Sequence, residues 1–289
     1  EGSDGGGVFA VPALDRERGI LYVGTQNAYS ADVSSDSHVL SIIALKMESG
    51  EVVWSFSGVP SDGSATAADD IGFSASPNLF SIEQNGGTRD LVGNGQKSGI
   101  FWALDRESGE VVWSTPISSA GPLGGMEGTS AVGNGIIVAP ATEWASFDNP
   151  DAKGVVRGLK AATGEIIWTH DSTAPNPAPV AIANDVAFQA GFDGLLHAFA
   201  LTTGDELWSY DLGASVSGGI AIAGDLVVVG ASTPAFAPFI KAGDKVWAFR
   251  LVSPPIQPST PVASPVPATP EVPVETPTPT GSPEATPES

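Results

Sequence analysis

The 289-residue chain sets 33 acidic against 12 basic side chains, a formal net charge of −21 that repels nucleic-acid phosphates and anionic lipid heads and excludes nucleic acid as a partner. It has no cysteine, so disulfides and thiolate metal sites are excluded. Its 35 glycines, 24 prolines and 42% hydrophobic content specify short strands and tight turns around a sizeable core. No apolar run reaches the roughly 18 residues of a membrane span, and metal cations are the one ligand class the charge favours.

In chain order, the start Glu1-Gly2-Ser3-Asp4 lacks an initiator methionine, which predicts mid-protein sequence or a processed product. The first clear element is the phrase Ile43-Ala44-Leu45 to Val52-Val53-Trp54, a hydrophobic strand, a Ser49-Gly50 turn and a second hydrophobic strand. It returns as Ala103 to Trp113, Gly158 to Trp168 and Ala198 to Trp208. Ser108-Gly109, Thr163-Gly164 and Thr203-Gly204 place glycine where a short hairpin needs positive φ. Two further strand-like runs precede each hairpin, as Pro179–Ala183 and Val186–Ala190 do around Asn184-Asp185.

Each unit therefore reads as a four-stranded meander. Successive tryptophans stand 59, 55 and 40 residues apart, near the roughly 40–50 residues of a propeller blade. The expected fold class is all-β, a β-propeller, with each tryptophan wedged against the next blade.

A fifth copy begins at Val246-Trp247-Ala248 and runs into proline, which leaves four complete blades and a fifth of three strands. An open last blade predicts closure by blades N-terminal to this chain or by pairing with another chain. From Pro254 onward the sequence is dominated by Pro, Thr, Ser, Val and Glu, without Lys or Arg. The expected organisation is a partial propeller over 1–252 and a disordered, polyproline-II-like tail over 253–289, a stalk-like composition that points to an extracytoplasmic location.

The stretch Ala103-Leu104-Asp105-Arg106-Glu107-Ser108-Gly109 to Trp113 resembles the tryptophan-docking motif of quinoprotein propellers. Residues 7 to 113 resemble the central blades of dehydrogenases dependent on pyrroloquinoline quinone (PQQ), above all the polyvinyl-alcohol dehydrogenases. The resemblance implies about five blades from the C-terminal part of an eight-bladed ring, with PQQ and Ca²⁺ as cofactors.

Three motifs carry the implied site. Leu21-Tyr22-Val23-Gly24-Thr25-Gln26-Asn27 is similar to the family's "YVGTGN", which makes Asn27 a calcium ligand, with Gln26 in place of a glycine. Asp69-Asp70-Ile71-Gly72-Phe73 to Ala75-Ser76-Pro77 is similar to the segment bearing the catalytic aspartate, which implies Asp70 as base and calcium ligand, with Asp69 as the alternative. Val92-Gly93-Asn94-Gly95-Gln96-Lys97 places Lys97 against the quinone oxygens. A carboxylate base, a cation at the quinone and oxygen donors for Ca²⁺ are what oxidation of an alcohol to an aldehyde or ketone needs.

Two departures stand out. Phe9 takes the place of the indole floor under PQQ, and Gly124-Gly125-Met126-Glu127-Gly128 resembles a cofactor loop, with Glu127 as a cofactor-facing candidate but Gly128 where the family has tryptophan. The family's remaining ligands come from blades this sequence does not contain. Without a C-x-x-C-H haem motif, electrons must pass to a separate acceptor such as a cytochrome, and the substrate is a small or polymeric alcohol. The alternative is a non-catalytic propeller serving as a protein-binding or envelope scaffold. His38, His170 and His197 form no cluster along the chain, and His197 reads as a structural residue.

Overall fold

The computed structural model describes residues 6–28, 38–59, 70–121, 124–143, 151–235 and 240–250, all within one compact unit, Glu1–Leu251. The expected tail and Asp69 lie outside the described residues. Five antiparallel sheets follow one another. Blade 1 is β1 (Ala13–Asp15), β2 (Ile20–Gly24), β3 (Ser41–Lys46) and β4 (Val52–Ser57). Blade 2 is β5 (Asn78–Gln84), β6 (Gly87–Gly95), β7 (Ile100–Asp105) and β8 (Val111–Pro116). Blade 3 is β9 (Ala131–Gly133), β10 (Ile136–Glu143), β11 (Lys153–Lys160) and β12 (Ile166–Ser172). Blade 4 is β13 (Ala181–Ala183), β14 (Val186–Ala190), β15 (Leu195–Ala200) and β16 (Glu206–Asp211). The last sheet has three strands, β17 (Ile220–Ala223), β18 (Leu226–Ala231) and β19 (Lys245–Arg250). This is the expected propeller, and among the described residues its fifth sheet has three strands. No helix among the described residues is long and apolar enough to cross a membrane.

The second and third strands of blades 1 to 4 are largely buried, as seven consecutive positions of β10 are, because a neighbouring sheet covers each face. The fourth strands alternate or lie exposed, and their tryptophans carry the contact between blades. Each tryptophan pairs across the sheet with a small residue: Trp54 with Ala44, Trp113 with Ala103, Trp168 with Gly158, Trp208 with Ala198. A bulge in the strand pair follows each of these small residues.

The indole N–H of Trp54 then donates to the Arg106 carbonyl, that of Trp113 to Ala161, and that of Trp168 to Leu201. Each acceptor is the residue just past the third strand of the following blade. The tryptophan therefore wedges as expected at these three joints, and one directed hydrogen bond fixes each of blades 2, 3 and 4 to the blade before it.

The hairpin glycines complete the joint. Gly50, Gly109, Gly164 and Gly204 all have φ between 73° and 75°. A Cβ on Gly109, Gly164 or Gly204 would fall 2.6, 2.4 or 2.6 Å from the indole of the preceding blade, whereas one on Gly50 meets nothing within 4 Å. Gly50→Ala is expected to cost about 1–2 kcal/mol from its left-handed backbone alone, and Gly164→Ala about 1–3 kcal/mol more from overpacking. Urea unfolding of the two variants checks this; equal midpoints would refute the docking role of the glycine.

Candidate functional site

Strands run outward in a meander, so the loops between second and third strands and the loops between blades lie at one end of the ring, and the tight hairpins lie at the other. Asn27 (β2–β3), Asp70 (β4–β5), Lys97 (β6–β7) and Glu127 (β8–β9) all occupy loops of the first kind. Topology thus gathers every polar residue of the implied site at the same end.

Lys97 is the centre of the cluster. Its backbone N–H donates to the Gly72 carbonyl at 3.0 Å, and the N–H of Met126 donates to the Gln96 carbonyl at 3.0 Å. The Gln96 side chain anchors this loop, donating to the Gly58 carbonyl and accepting from Ser98 Oγ and Trp102 Nε1. Gly125 allows the close approach of the next loop: its φ is 76°, and a Cβ there would lie 2.1 Å from the Lys97 carbonyl oxygen. With its side chain only 9% exposed, Lys97 places Nζ 2.5 Å from Asp70 Oδ2 and 3.8 Å from Glu127 Oε1. Asp70, by contrast, is half exposed and faces solvent as well as the ammonium.

Phe9 and Glu127 hold equivalent places ahead of blades 1 and 3, each four residues before the innermost strand, which begins at Ala13 and at Ala131. The Val11 N–H donates to Ser76 Oγ, and the Ser76 N–H to Thr129 Oγ1, which links these approaches in series. Phe9 is 77% exposed, flanked by exposed Val8 and Val11, an apolar surface open to a ligand. Asn27 is half-buried and follows Gln26, whose N–H donates to the Gly7 carbonyl and whose carbonyl accepts from Leu40.

Comparison with known proteins agrees with this fold. The family model described as "PQQ: Glucose/ethanol/alcohol dehydrogenase, beta-propeller domain" matches residues 2–120, and the model described as "Outer membrane protein assembly factor BamB" matches residues 152–276. The chain carries repeats of the PQQ β-propeller family.

A polyvinylalcohol dehydrogenase of Sphingopyxis sp. (strain 113P3) is 29% identical to it over 183 residues, 58% of this chain and 27% of that protein. A second, from Pseudomonas sp., is 30% identical over 44% of this chain and 21% of its own length. The quinohemoprotein alcohol dehydrogenase of Comamonas testosteroni superposes with a TM-score of 0.64 at 18% identity, over 78% of this chain and 44% of its own. The PQQ-type propeller described here therefore spans about a quarter of the length of these curated relatives.

The propeller accommodates its departures from the family pattern locally. Gln26 needs no left-handed backbone, and its side chain occupies the space beside Gly72, where a Cβ would come 2.3 Å from Gln26 Oε1. At Gly128 there is no room for any side chain, let alone an indole: a Cβ would lie 2.7 Å from the Ala178 carbonyl oxygen and 3.0 Å from Pro140 Cγ.

The scattered reading of the histidines is corrected. His170 of blade 3 and His197 of blade 4 are neighbours with ring centroids 5.2 Å apart, because Trp168 docks strand β12 onto blade 4. Blade-to-blade register is the signal that could have found this pair, and it is set by tertiary contacts.

Burial pushes the Glu127 carboxyl above its ordinary value, partly offset by Lys97 and reinforced by Asp70. A raised carboxyl contributes stability that is complete below its usual 4.5 and lost as pH rises through the folded value. Glu127→Gln cannot ionise, so it is expected to gain melting temperature relative to the parent chain as pH is raised from 4.5 toward neutrality. A difference that stays constant over that range would contradict the desolvated environment.

Proposed function

We propose that the chain contributes the quinone-facing half of the site in a PQQ-dependent alcohol dehydrogenase, oxidising a small or polymeric alcohol to an aldehyde or ketone. The observation that carries this reading is the buried Lys97 ammonium paired with Asp70 beside Glu127. PQQ fits the residues present at its quinone end: Lys97 offers a fixed cationic donor for an oxygen that gains negative charge, and Phe9 offers an open ring face. Bound PQQ supplies the two-electron acceptor.

The chain's own residues do the rest. Asp70 would take the hydroxyl proton of the alcohol on its carboxylate, and Lys97 would hold that carboxylate in place. Glu127, next to the same ammonium, completes the polar wall. A separate acceptor such as a cytochrome receives the electrons, and an extracytoplasmic location suits such a relay.

Calcium is a different matter. It takes about six to eight oxygens, whereas Asn27 and Asp70 together offer three, and Asp70 Oδ2 already faces Lys97. Those residues alone do not complete a calcium shell.

The test is a spectroscopic titration of the purified chain with PQQ, with and without added Ca²⁺. Saturable one-to-one binding is expected, weakened about 10- to 100-fold by Lys97→Met, the loss of one charge-assisted hydrogen bond of about 1.5–3 kcal/mol. Methionine keeps the packing of the buried stem. Absence of saturable binding would favour the second reading, a non-catalytic scaffold. That reading draws on the assembly-factor model matching 152–276 and on β19 ending its sheet among the described residues.

A further inference from the structure

His170, His197 and Glu206 lie far along the chain from Lys97, on β12, β15 and β16, at the junction between blades 3 and 4. Their donor atoms all lie within 4.8 Å of one another, with Glu206 Oε2 3.4 Å from His197 Nδ1. A tetrahedral ion with bonds of about 2.05 Å separates its ligands by about 3.3 Å, so this pair already stands at ligand spacing.

His197 is 4% exposed, and neither ring nitrogen reaches hydrogen-bond geometry: its polar partners are the carboxylates of Glu206, 3.4 Å from Nδ1, and Asp193, 3.6 Å from Nε2. A buried imidazole whose polar contacts are all longer than a good hydrogen bond calls for an explanation. Gln189, directly opposite His197 in the sheet, also keeps a buried Oε1 without a hydrogen bond. The other side of His197 carries the complementary feature: Asp193 Oδ2 lies 3.6 Å from Nε2, the place of the carboxylate that orients a metal-bound imidazole. Asp193 is itself fixed, its Oδ1 accepting from the Leu195 N–H. Phe199 packs against both imidazoles, with ring centroids 4.7 and 5.5 Å away, and forms an apolar wall.

We propose that His170, His197 and Glu206 form a binding site for a divalent first-row transition metal of the zinc type, clamping blade 3 to blade 4. Two imidazoles and one carboxylate select zinc over calcium or magnesium, which prefer all-oxygen shells. Glu206, 37% exposed on its side chain, opens the fourth position to water and gives the ion its way in. The site is independent of the dehydrogenase reading, since it shares no residue with the Lys97 cluster.

The experiment is calorimetric titration of the untagged, chelator-treated full chain with Zn²⁺ at moderate salt, alongside His170→Ala, Glu206→Gln and Asp193→Asn, with circular dichroism confirming that each variant is folded. One saturable equivalent and a higher melting temperature are expected for the parent chain. His170→Ala and Glu206→Gln should each weaken binding by at least about 10-fold, and Asp193→Asn by about 10-fold through the lost orienting carboxylate. Co²⁺ should give the visible absorption of a tetrahedral nitrogen-oxygen site in the parent chain and lose it in His170→Ala.

Three results would overturn the proposal. One is no bound equivalent. Another is binding unchanged in the folded ligand variants. The third is non-saturating uptake that salt abolishes, which marks loose association with the acidic surface.

Discussion

Asp70→Asn is expected to leave PQQ binding within a few-fold of the parent chain and to lower alcohol turnover by about 10²- to 10⁴-fold, the usual contribution of a positioned general base. The asparagine keeps the shape and can still sit against Lys97, but it cannot take a proton. Lys97 retains Glu127 at 3.8 Å, so the buried ammonium is not stranded and the loop stays in place. Steady-state rates with an artificial electron acceptor, together with the PQQ titration, separate binding from chemistry. Turnover within a few-fold of the parent would place the base elsewhere, with Asp69 next to be tested.

The second large effect falls at the opposite end of the ring, in the joint between blades 1 and 2. Arg106 Nη1 donates to Asp15 Oδ2 at 3.1 Å, and Nη2 donates to the carbonyls of Phe80 and Leu91, while Arg18 bridges Asp15 and Asp90. Asp15 is 6% exposed and the Arg106 side chain 11%, so removing the guanidinium leaves the buried carboxylate with Arg18 as its one remaining ionic partner and frees the Phe80 and Leu91 carbonyls. Arg106→Ala is expected to cost about 2–3 kcal/mol, below the full penalty of a stranded buried charge because Arg18 stays paired.

Burial by itself would raise the Asp15 carboxyl, yet Arg18 and Arg106 together hold it below its usual 3.8. A depressed carboxyl contributes stability that is present above 3.8 and lost as pH falls through the folded value. The gap between parent and variant should therefore be widest near neutrality and narrow at about pH 3. Urea midpoints at the two pH values test both points; a gap that does not depend on pH would assign the loss to packing rather than charge.

Arg106 shows how far the repeat pattern carries. The position after each third strand is Met47, Arg106, Ala161 and Leu201 in the four copies, and what they share is a carbonyl. Three of these carbonyls accept an indole N–H from the preceding blade. Strand number, the positive-φ hairpin glycines and the wedge tryptophans were legible because local chemistry repeats with the blade. The side chain of Arg106 was not, because its partners Asp15, Phe80 and Leu91 are brought to it by blade stacking.

The same division runs through the candidate sites. Motif resemblance singled out Lys97, Asp70 and Glu127 one loop at a time, but spacing along the chain says nothing of a 2.5 Å approach between loops of adjacent blades. His170 and His197 were read as unrelated for the same reason.

The sequence by itself determined the sheet-rich architecture and the blade period, since alternating hydrophobicity and turn glycines act within a few residues of one another. Only the tertiary structure decided which polar groups meet. Each meeting spans two blades, and the angle between blades is fixed by indole-to-carbonyl docking across distances that no local pattern records.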